Sequence, residues 1–183
     1  MKFLELVKKR QSIRKYADQK VDRSLIDQCI EAARLAPSAR NSQPWSFIVL
    51  DDPEIIQKVS RKAFSGIYKT TRFAGKAPVL IVVITEKADY ITSMGNLIRN
   101  VRYSLIDIGI ACEHLVLQAE ELGLGTCWLG WFSARGVKRV LKLPRSTQID
   151  VLISLGYPLD PNYRRERKRR SLDDVRHYFD PLK

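Results

Sequence analysis

The strongest hydrophobic pattern in the chain is the run Pro78–Thr85, which contains six consecutive aliphatic residues. An unbroken run of mostly β-branched residues is typical of a strand that is covered on both faces of a sheet. The segment Ile149–Leu155 repeats this pattern, and the shorter runs Phe47–Leu50 and Thr126–Trp131 are strand-like as well. The pattern therefore predicts a central sheet with both faces buried.

Apolar residues at helical spacing fill the intervals between these runs. The spacing predicts helices over 3–9, from a cap at Asp22 or Ser24 to Pro37, over 52–64, over 93–122, and from Ser133 to 142. We expect a surface loop at 66–77 and a short helix or docking arm at 172–179. Helices that interleave with buried strands indicate an α/β or α+β class with a mixed sheet.

The helix predicted over 93–122 carries two apolar stripes instead of one. The stripes contain Met94, Leu97, Ile98, Val101, Leu105, Ile108, Cys112, Leu115, Ala119 and Leu122, and Tyr103, Ile106, Ile110 and Leu117. Two apolar faces require burial on two sides, and a single sheet covers only one of them. A second subunit is the simplest cover, so the pattern predicts a homodimer, with a central helix inside a monomer as the alternative.

The positive charge is concentrated near the end of the chain. Of the formal net charge of +12, the segment 164–170, Arg-Arg-Glu-Arg-Lys-Arg-Arg, supplies +5. A basic chain favours anionic partners such as phosphate groups, nucleic acid or an acidic surface. Nucleic acid is disfavoured for this run because no aromatic stacking residues are interleaved with it. We expect one domain over residues 1–183, with a basic C-terminal arm at about 160–183.

The cysteines Cys29, Cys112 and Cys127 lie in apolar segments and are expected to pack as small hydrophobic residues. Their odd number and their spacing argue against both a disulfide framework and a metal site. His114 lies in the long apolar helix and is interpreted as a packed histidine. Met1–Arg10 is charged and amphipathic, and no apolar run is long enough to span a membrane. The sequence therefore predicts a cytoplasmic protein without a membrane partner.

The densest polar segment is Ala36–Trp45, which follows a predicted helix and precedes a predicted strand. Pro37 and Pro44 stiffen its two ends. Its hydrogen-bonding residues are Ser38, Arg40, Asn41, Ser42 and Gln43. Such a loop suits a polar ring system that requires fixed donors and acceptors. A plain helix-to-strand connection built from turn residues is the competing interpretation.

The chain contains few residues that could carry chemistry themselves. It has no nucleophile elbow and no Walker loop. Gly123-Leu124-Gly125 follows a helix instead of a strand, and Trp128 stands at the third glycine position, which argues against a Rossmann site. Such a chain either performs no chemistry or borrows it from an organic cofactor. Arg10 and Arg14 flank Ser12, and guanidinium groups match phosphate oxygens. They would project together from a compact or helical turn, although solvated arginines are the alternative.

Taken together, these segments resemble the FMN-dependent nitroreductase family over nearly the whole chain. The matching motifs are Arg10-x-Ser12-x-Arg14-x-Tyr16, Ala-Arg-Leu-Ala-Pro-Ser-x-x-Asn-x-Gln-Pro-Trp at 33–45, Gly-Leu-Gly-Thr-Cys-Trp-Leu-Gly at 123–130, and Leu155-Gly156-Tyr157-Pro158 before a basic segment. The resemblance implies an α+β, nitroreductase-like fold with a mixed central β-sheet flanked by helices. It also implies an intertwined homodimer with FMN at the subunit interface.

The resemblance further implies which residues bind FMN. The arginines and the serine of the first motif would hold the phosphate, together with a late basic residue. Among Lys168, Arg169 and Arg170, the two arginines are preferred for that role. The loop of the other subunit would line the flavin, with Asn41 hydrogen-bonding to the ring, while Gln43 has a structural alternative. The predicted cofactor-binding set is Arg10, Gln11, Ser12, Arg14, Pro37, Ser38, Ala39, Asn41, Gln43, Leu129, Gly130, Arg169 and Arg170.

The function implied is a ping-pong oxidoreductase that transfers hydride from NADH or NADPH through FMN to a nitroaromatic, quinone or similar electron-poor ring. No side chain is assigned as a general acid, because FMN carries the chemistry. The segment Tyr68–Phe73 and the pair Trp131-Phe132 are candidate pocket walls or ordinary packing residues. The alternative function is a non-catalytic FMN-binding or storage protein, or a nucleic-acid-associated module that uses the basic run.

Overall fold

The computed structural model, described here for residues 2–86 and 101–179, is built around one four-stranded sheet. Its strands are β1 (Trp45–Leu50), β2 (Val79–Thr85), β3 (Gly125–Leu129) and β4 (Gln148–Gly156), in the order β1-β2-β4-β3. All neighbouring strands pair antiparallel. The parallel pairing expected of a mixed sheet is represented by a bridge between Ser12 and Thr126 at the β3 edge.

Five described helices cover this sheet. They are α1 (Phe3–Lys9), α2 (Arg23–Arg34), α3 (Pro53–Ala63), α4 (Tyr103–Glu121) and α5 (Ala134–Leu141), with 3-10 segments at Ala39–Asn41 and Gly66–Lys76. The combination is an α+β fold, as predicted. No helix among the described residues combines the length and the apolar character needed to cross a membrane.

The side chains of β2 separate into two hydrophobic clusters, as the strand period requires. Val79, Ile81 and Val83 pack in one cluster with residues of α2 and α4. Leu80 and Val82 point to the opposite face and pack with residues of α3 and α5. The sheet is therefore covered on both faces, which confirms the prediction made from the unbroken aliphatic run.

Side-chain caps fix the starts of three helices. The carboxylate of Asp22 accepts a hydrogen bond from the Ser24 N–H at 2.9 Å, so Asp22 is the cap of α2. Asp52 accepts from the Glu54 N–H at 2.8 Å at the start of α3. Ser133 caps α5 in the same way, as its position in the sequence predicts.

The structure differs from the predicted elements at several boundaries. Helix α4 begins at Tyr103, and the part predicted over 93–100, with Met94, Leu97 and Ile98, lies outside the described residues. The helix ends at Glu121, and Gly123, with a φ of 78°, follows its C-cap Leu122, whereas Gly125 opens β3. Gly66–Lys76 is 3-10 helical instead of a plain loop, and the Gln57 side chain donates to the Gly75 carbonyl at 2.6 Å near its end.

The end of the chain is an exposed arm. The segment predicted as a short helix or docking arm, 172–179, contains a turn and no helix. Leu172 and Val175 are exposed, and the Tyr178 and Phe179 side chains are 82% and 90% exposed. Within the described part of the chain, these four apolar side chains are therefore largely open to solvent.

Candidate functional site

The segment Arg10–Arg14 runs extended along the edge of β3. The Ile13 N–H donates to the Thr126 carbonyl at 2.8 Å, and the Ile13 side chain is buried. Because alternate residues of an extended segment share a face, Arg10, Ser12 and Arg14 project on the opposite side. The segment is therefore neither compact nor helical, which was the condition under which the sequence would bring Arg10 and Arg14 together, but the strand period still brings the same three side chains to one face.

Two close contacts hold this segment on the sheet. The Tyr16 hydroxyl lies 2.8 Å from the Ile13 carbonyl oxygen and 2.7 Å from Ser154 Oγ. Burial raises the pKa of Tyr16 above its ordinary value, so the phenol remains a hydrogen-bond donor at neutral pH. At Gly125 a Cβ atom would lie 2.5 Å from Ile13 Cγ1, so glycine allows the segment to approach β3.

Arginines from both ends of the chain line one cavity of about 400 Å³. Its lining residues are Val7, Lys8, Arg10, Glu113, Arg165, Arg167 and Arg169. Partial burial of the guanidinium, with Arg169 and Arg10 nearby, lowers the pKa of Arg167. The cavity therefore carries an excess of positive charge that an anion would neutralise.

The basic arm is held against the first segment by side-chain hydrogen bonds. Gln11 donates to the Tyr163 carbonyl at 2.5 Å and accepts from the Arg165 N–H at 2.9 Å. The Arg167 guanidinium donates to the carbonyls of Lys8 and Arg10. The Gln11 side chain, predicted to bind cofactor, is thus buried and engaged with the arm.

Of the two late arginines in the predicted set, the structure brings Arg169 and not Arg170 to the Arg10 cavity. Arg170 instead donates to the Asp174 carbonyl within the arm. Arg165 and Arg167, which the sequence reasoning missed, line the cavity with Arg169. Their alternate spacing was the available signal, because every second residue of a non-helical arm can face the same side.

Ser12 and Arg14 line an adjoining cavity of about 390 Å³. Arg165 lines this cavity as well, so the two spaces meet at one guanidinium group. The Arg14 guanidinium also lies 5.8 Å from the centre of the Phe73 ring, within the range of a cation–π contact. The predicted phosphate-binding residues thus occupy two neighbouring cavities on one side of the molecule.

Glu113 is the acidic residue that lines the Arg10 cavity. Its carboxylate lies 3.9 Å from Arg10 Nε. Burial raises the pKa of Glu113 above its ordinary value, and the charges of Arg10 and His114 oppose this increase. Glu113 therefore competes with any bound anion for Arg10.

The second predicted region, the loop after α2, has an unusual backbone. Arg40, Asn41 and Gln43 have φ values of 56°, 55° and 45°, in the left-handed region that non-glycine residues rarely adopt. Such strain is found at ligand-binding loops and requires support from the surrounding structure. The Gln43 N–H donates to Ser38 Oγ at 2.9 Å, and the Gln43 amide donates to the Asn41 carbonyl at 3.3 Å. Gln43 thus supports the loop from within, while the Asn41 side chain is exposed.

Asp107 of α4 supports this loop from below. Its side chain is buried, and Oδ1 accepts a hydrogen bond from the Ala39 N–H at 3.1 Å. Within the described part of the chain, Asp107 Oδ2 and the nearby loop atom Ser42 Oγ are buried without a hydrogen-bond partner. The sequence reasoning missed Asp107, whose only signal was an acidic residue at an otherwise apolar helical position.

Leu129 and Gly130 lie at the end of β3. The Leu129 side chain is buried in the cluster under α3 and α5, so only its main chain can face a ligand. Gly130 is exposed, and a Cβ atom placed there would meet no atom within 4 Å. The main chain at Gly130 therefore borders open space that a ring could approach.

Comparison with known proteins assigns the chain to a family. The sequence matches the model of the Nitroreductase family over residues 7–72 and 68–157. The chain belongs to the nitroreductase family. A relative from Archaeoglobus fulgidus, which carries the provisional name NADH dehydrogenase/NAD(P)H nitroreductase, is 34% identical, and the match covers 86% of each chain.

Two further nitroreductase relatives are informative. The iodotyrosine deiodinase of Thermotoga neapolitana is 27% identical, with coverage of 88% of this chain and 91% of that protein. The solved structure of an FMN-dependent nitroreductase from Clostridium difficile R20291 is 30% identical, with a TM-score of 0.71 and coverage of 97% and 98%. The chain is thus similar in sequence to a deiodinase, and similar in sequence and fold to a nitroreductase named for its dependence on FMN.

The donors present in this member of the family fit an FMN phosphate. Arg10, Arg165, Arg167 and Arg169 surround a cavity large enough for a phosphate group, and guanidinium forks match its oxygens.

The buried cysteines are poor nucleophiles, since burial raises the pKa of Cys29 and Cys112 to about 12 and also raises that of Cys127. Among the described residues, no cluster of His, Cys, Asp and Glu could hold a metal ion.

Proposed function

We propose that this chain is an FMN-dependent oxidoreductase that uses NAD(P)H to reduce nitroaromatic, quinone or similar electron-poor rings. The observation that carries the proposal is the cavity in which Arg10 meets Arg165, Arg167 and Arg169. Family membership gives this cavity its interpretation, because relatives with the same fold include an FMN-dependent nitroreductase and proteins named for NAD(P)H.

The phosphate would bind between the two chain ends. Arg10 and Arg169 supply charge inside the cavity, and Ser12 and Arg14 extend the polar surface into the adjoining one. Arg167 contributes charge, and its hydrogen bonds to main-chain carbonyls hold the arm in place. A phosphate dianion would offset the mutual repulsion of these guanidinium groups.

The ring-binding loop would come from the other subunit. Glu113, beside Arg10, and Asp107, under the loop, are six residues apart on α4. They are separated by about 9 Å along the helix and about 120° around it. The arginine cavity and the loop therefore approach different faces of one helix, which supports their assignment to two different sites of a homodimer.

The exposed apolar residues of the chain support the same dimer. Leu172, Val175, Tyr178 and Phe179 of the arm are more than half exposed. Helix α1 exposes Phe3, Leu4 and Val7, and α4 exposes Ile106. Several large apolar side chains exposed on one chain are what a subunit interface would cover.

When bound, FMN supplies the two-electron redox chemistry that connects NAD(P)H with the acceptor. Reduction of a quinone to a hydroquinone consumes one NAD(P)H and one proton. The protein residues bind, orient and shield the reacting groups. The main chain at Gly130 permits close approach, Asn41 offers an amide to the ring, and the phosphate-binding arginines fix the position of the cofactor.

Dehalogenation is a second candidate activity. It is favoured by the 27% identity to the iodotyrosine deiodinase of Thermotoga neapolitana over 88% of this chain. Activity assays should therefore compare a nitroaromatic, a quinone and an iodinated phenol. A preference for the iodinated phenol would favour this second candidate.

The proposal is tested by the visible spectrum of the purified protein before and after addition of NADH or NADPH. We expect a yellow protein that loses its flavin absorbance with a nicotinamide and regains it with an acceptor. Arg169→Gln should lower FMN retention at least tenfold, whereas the matched variant Arg170→Gln should retain FMN, because Arg169 lines the Arg10 cavity and Arg170 does not. A yellow protein that no nicotinamide reduces would indicate the non-catalytic alternative, and a colourless protein would contradict both.

A further inference from the structure

Trp131 is a large exposed side chain that the fold holds rigidly. The residue is 54% exposed, yet its indole N–H donates to the Ile67 carbonyl at 2.9 Å. Its own carbonyl accepts a hydrogen bond from Thr71 Oγ1 at 2.8 Å. Its ring centre lies 5.2 Å from that of Tyr68, at an interplanar angle of 55°. An exposed indole fixed by two side-chain contacts, on a main chain held by a third, is preorganised to bind a ligand.

The position of Trp131 connects it with the proposed FMN site. It directly follows Gly130, where the main chain borders open space. The 3-10 segment Gly66–Lys76, which fixes Trp131, also contributes Phe73 beneath the guanidinium of Arg14. One segment therefore joins the indole to a proposed phosphate-binding arginine.

The contacts of Trp131 also restrict what it can recognise. Because the indole N–H is already bonded to Ile67, Trp131 offers the face of a ring and no free donor. Aromatic faces bind other planar rings by offset or tilted stacking, and a rigid indole loses little conformational entropy on binding. Such a surface favours flat aromatic molecules over small polar or non-planar ones.

We propose that Trp131, backed by Tyr68, is the stacking surface for the aromatic acceptor and determines acceptor specificity. This inference rests on the proposed function and adds a residue to it. Planar acceptors such as menadione would contact the indole. Ferricyanide, an octahedral anion that accepts electrons without stacking, would not require it.

The test compares Trp131→Phe, Trp131→Leu and Trp131→Ala in the flavin-loaded protein. Phe keeps a planar ring, Leu keeps apolar volume without a ring, and Ala removes both. For Leu and Ala we expect the KM for menadione to rise about tenfold, whereas Phe should stay within about threefold. Calorimetric titration of menadione without NADH should show the same order of Kd values. FMN content and the KM for ferricyanide should stay unchanged.

The outcomes separate this inference from the function on which it rests. If the unsubstituted protein does not bind FMN, or if NADH does not reduce its flavin, the proposed function and the inference are both overturned. If the flavoprotein is active and all three variants have the menadione KM and Kd of the unsubstituted protein, only the role of Trp131 is overturned. Thermal melting confirms that each variant is folded, and the Leu variant, which also removes the ring, provides the comparison with Phe if the Ala variant does not fold.

Discussion

The ion pair between Arg10 and Glu113 places a negative charge beside the proposed phosphate site. The two groups are 3.9 Å apart, and the Glu113 side chain is 45% exposed. We expect Glu113→Gln to tighten FMN binding about threefold, in line with the modest energies of partly exposed ion pairs. The measurement is the FMN dissociation constant by fluorescence titration. Glu31→Gln, which removes an exposed partner of Arg34 on α2, is the matched control.

The same pair predicts a dependence on pH. Because burial raises the pKa of Glu113, its carboxyl group takes up a proton before ordinary glutamates as the pH falls. Protonation removes the negative charge, so the dissociation constants of the unsubstituted protein and Glu113→Gln should converge at lower pH. Titration of the phosphate itself affects both proteins equally. If the ratio of the two FMN dissociation constants stays constant as the pH is lowered, Glu113 is excluded from the site.

Asp107 should control the loop that is proposed to contact the flavin ring. In Asp107→Ala the Ala39 N–H loses its acceptor, so the left-handed loop residues lose a support. We expect FMN retention to fall at least fivefold, because a buried unpaired donor costs about 1–3 kcal/mol. Asp107→Asn retains an Oδ1 acceptor and should retain FMN. Equal FMN binding by both variants would exclude this role for Asp107.

At the scale of elements, the contact between the Arg10–Arg14 segment and β3 depends on Gly125. An alanine there would place its Cβ 2.5 Å from Ile13 Cγ1, and the segment would have to move. We expect Gly125→Ala to destabilise the fold by about 1–3 kcal/mol, as overpacked cores do. FMN affinity should fall as well, because Ser12 and Arg14 move with Ile13.

The matched comparison for this prediction is Gly130→Ala. A Cβ at Gly130 meets no protein atom, so thermal stability should be unchanged while flavin binding or reduction is impaired. Urea unfolding and FMN titration measure the two effects separately. A stable Gly125→Ala protein with normal FMN affinity would mean that this packing does not position the arginines.

The sequence was sufficient for elements whose residues all favour one structure. The aliphatic run Val79–Thr85 predicts a buried strand, and Asp22 and Asp52 are strong helix caps at their observed positions. By contrast, the 3-10 segment 66–76 contacts a side chain of another element, Gln57 of α3, and this bond to Gly75 cannot be read from local spacing.

The site was partly readable from the sequence for a similar reason. The motif around Arg10 and the loop around Asn41 are local, and the resemblance indicates their roles. The choice of Arg169 over Arg170 depends on how the arm folds back on the first segment. The left-handed backbone lies at Arg40 and Asn41, and neither residue is the glycine that would indicate it in the sequence.

At the scale of the whole molecule, the proposed FMN site requires a homodimer. Each chain would contribute the arginine cavity to one site and the Pro37–Asn41 loop to the other. A closed two-fold arrangement would give two equivalent sites and would cover the exposed apolar arm. One FMN would therefore contact residues of both subunits.

Complementation between two defective chains tests this claim most directly. Arg10→Ala and Asn41→Ala chains, each with a different tag, are produced together, and the mixed dimers are isolated through both tags. Each mixed dimer would contain one intact site and one doubly altered site, so the account predicts about half of the normal FMN content, while either variant alone binds little. Mixed dimers that bind no more FMN than the variants alone would show that both clusters serve a site within one chain, and would contradict the account.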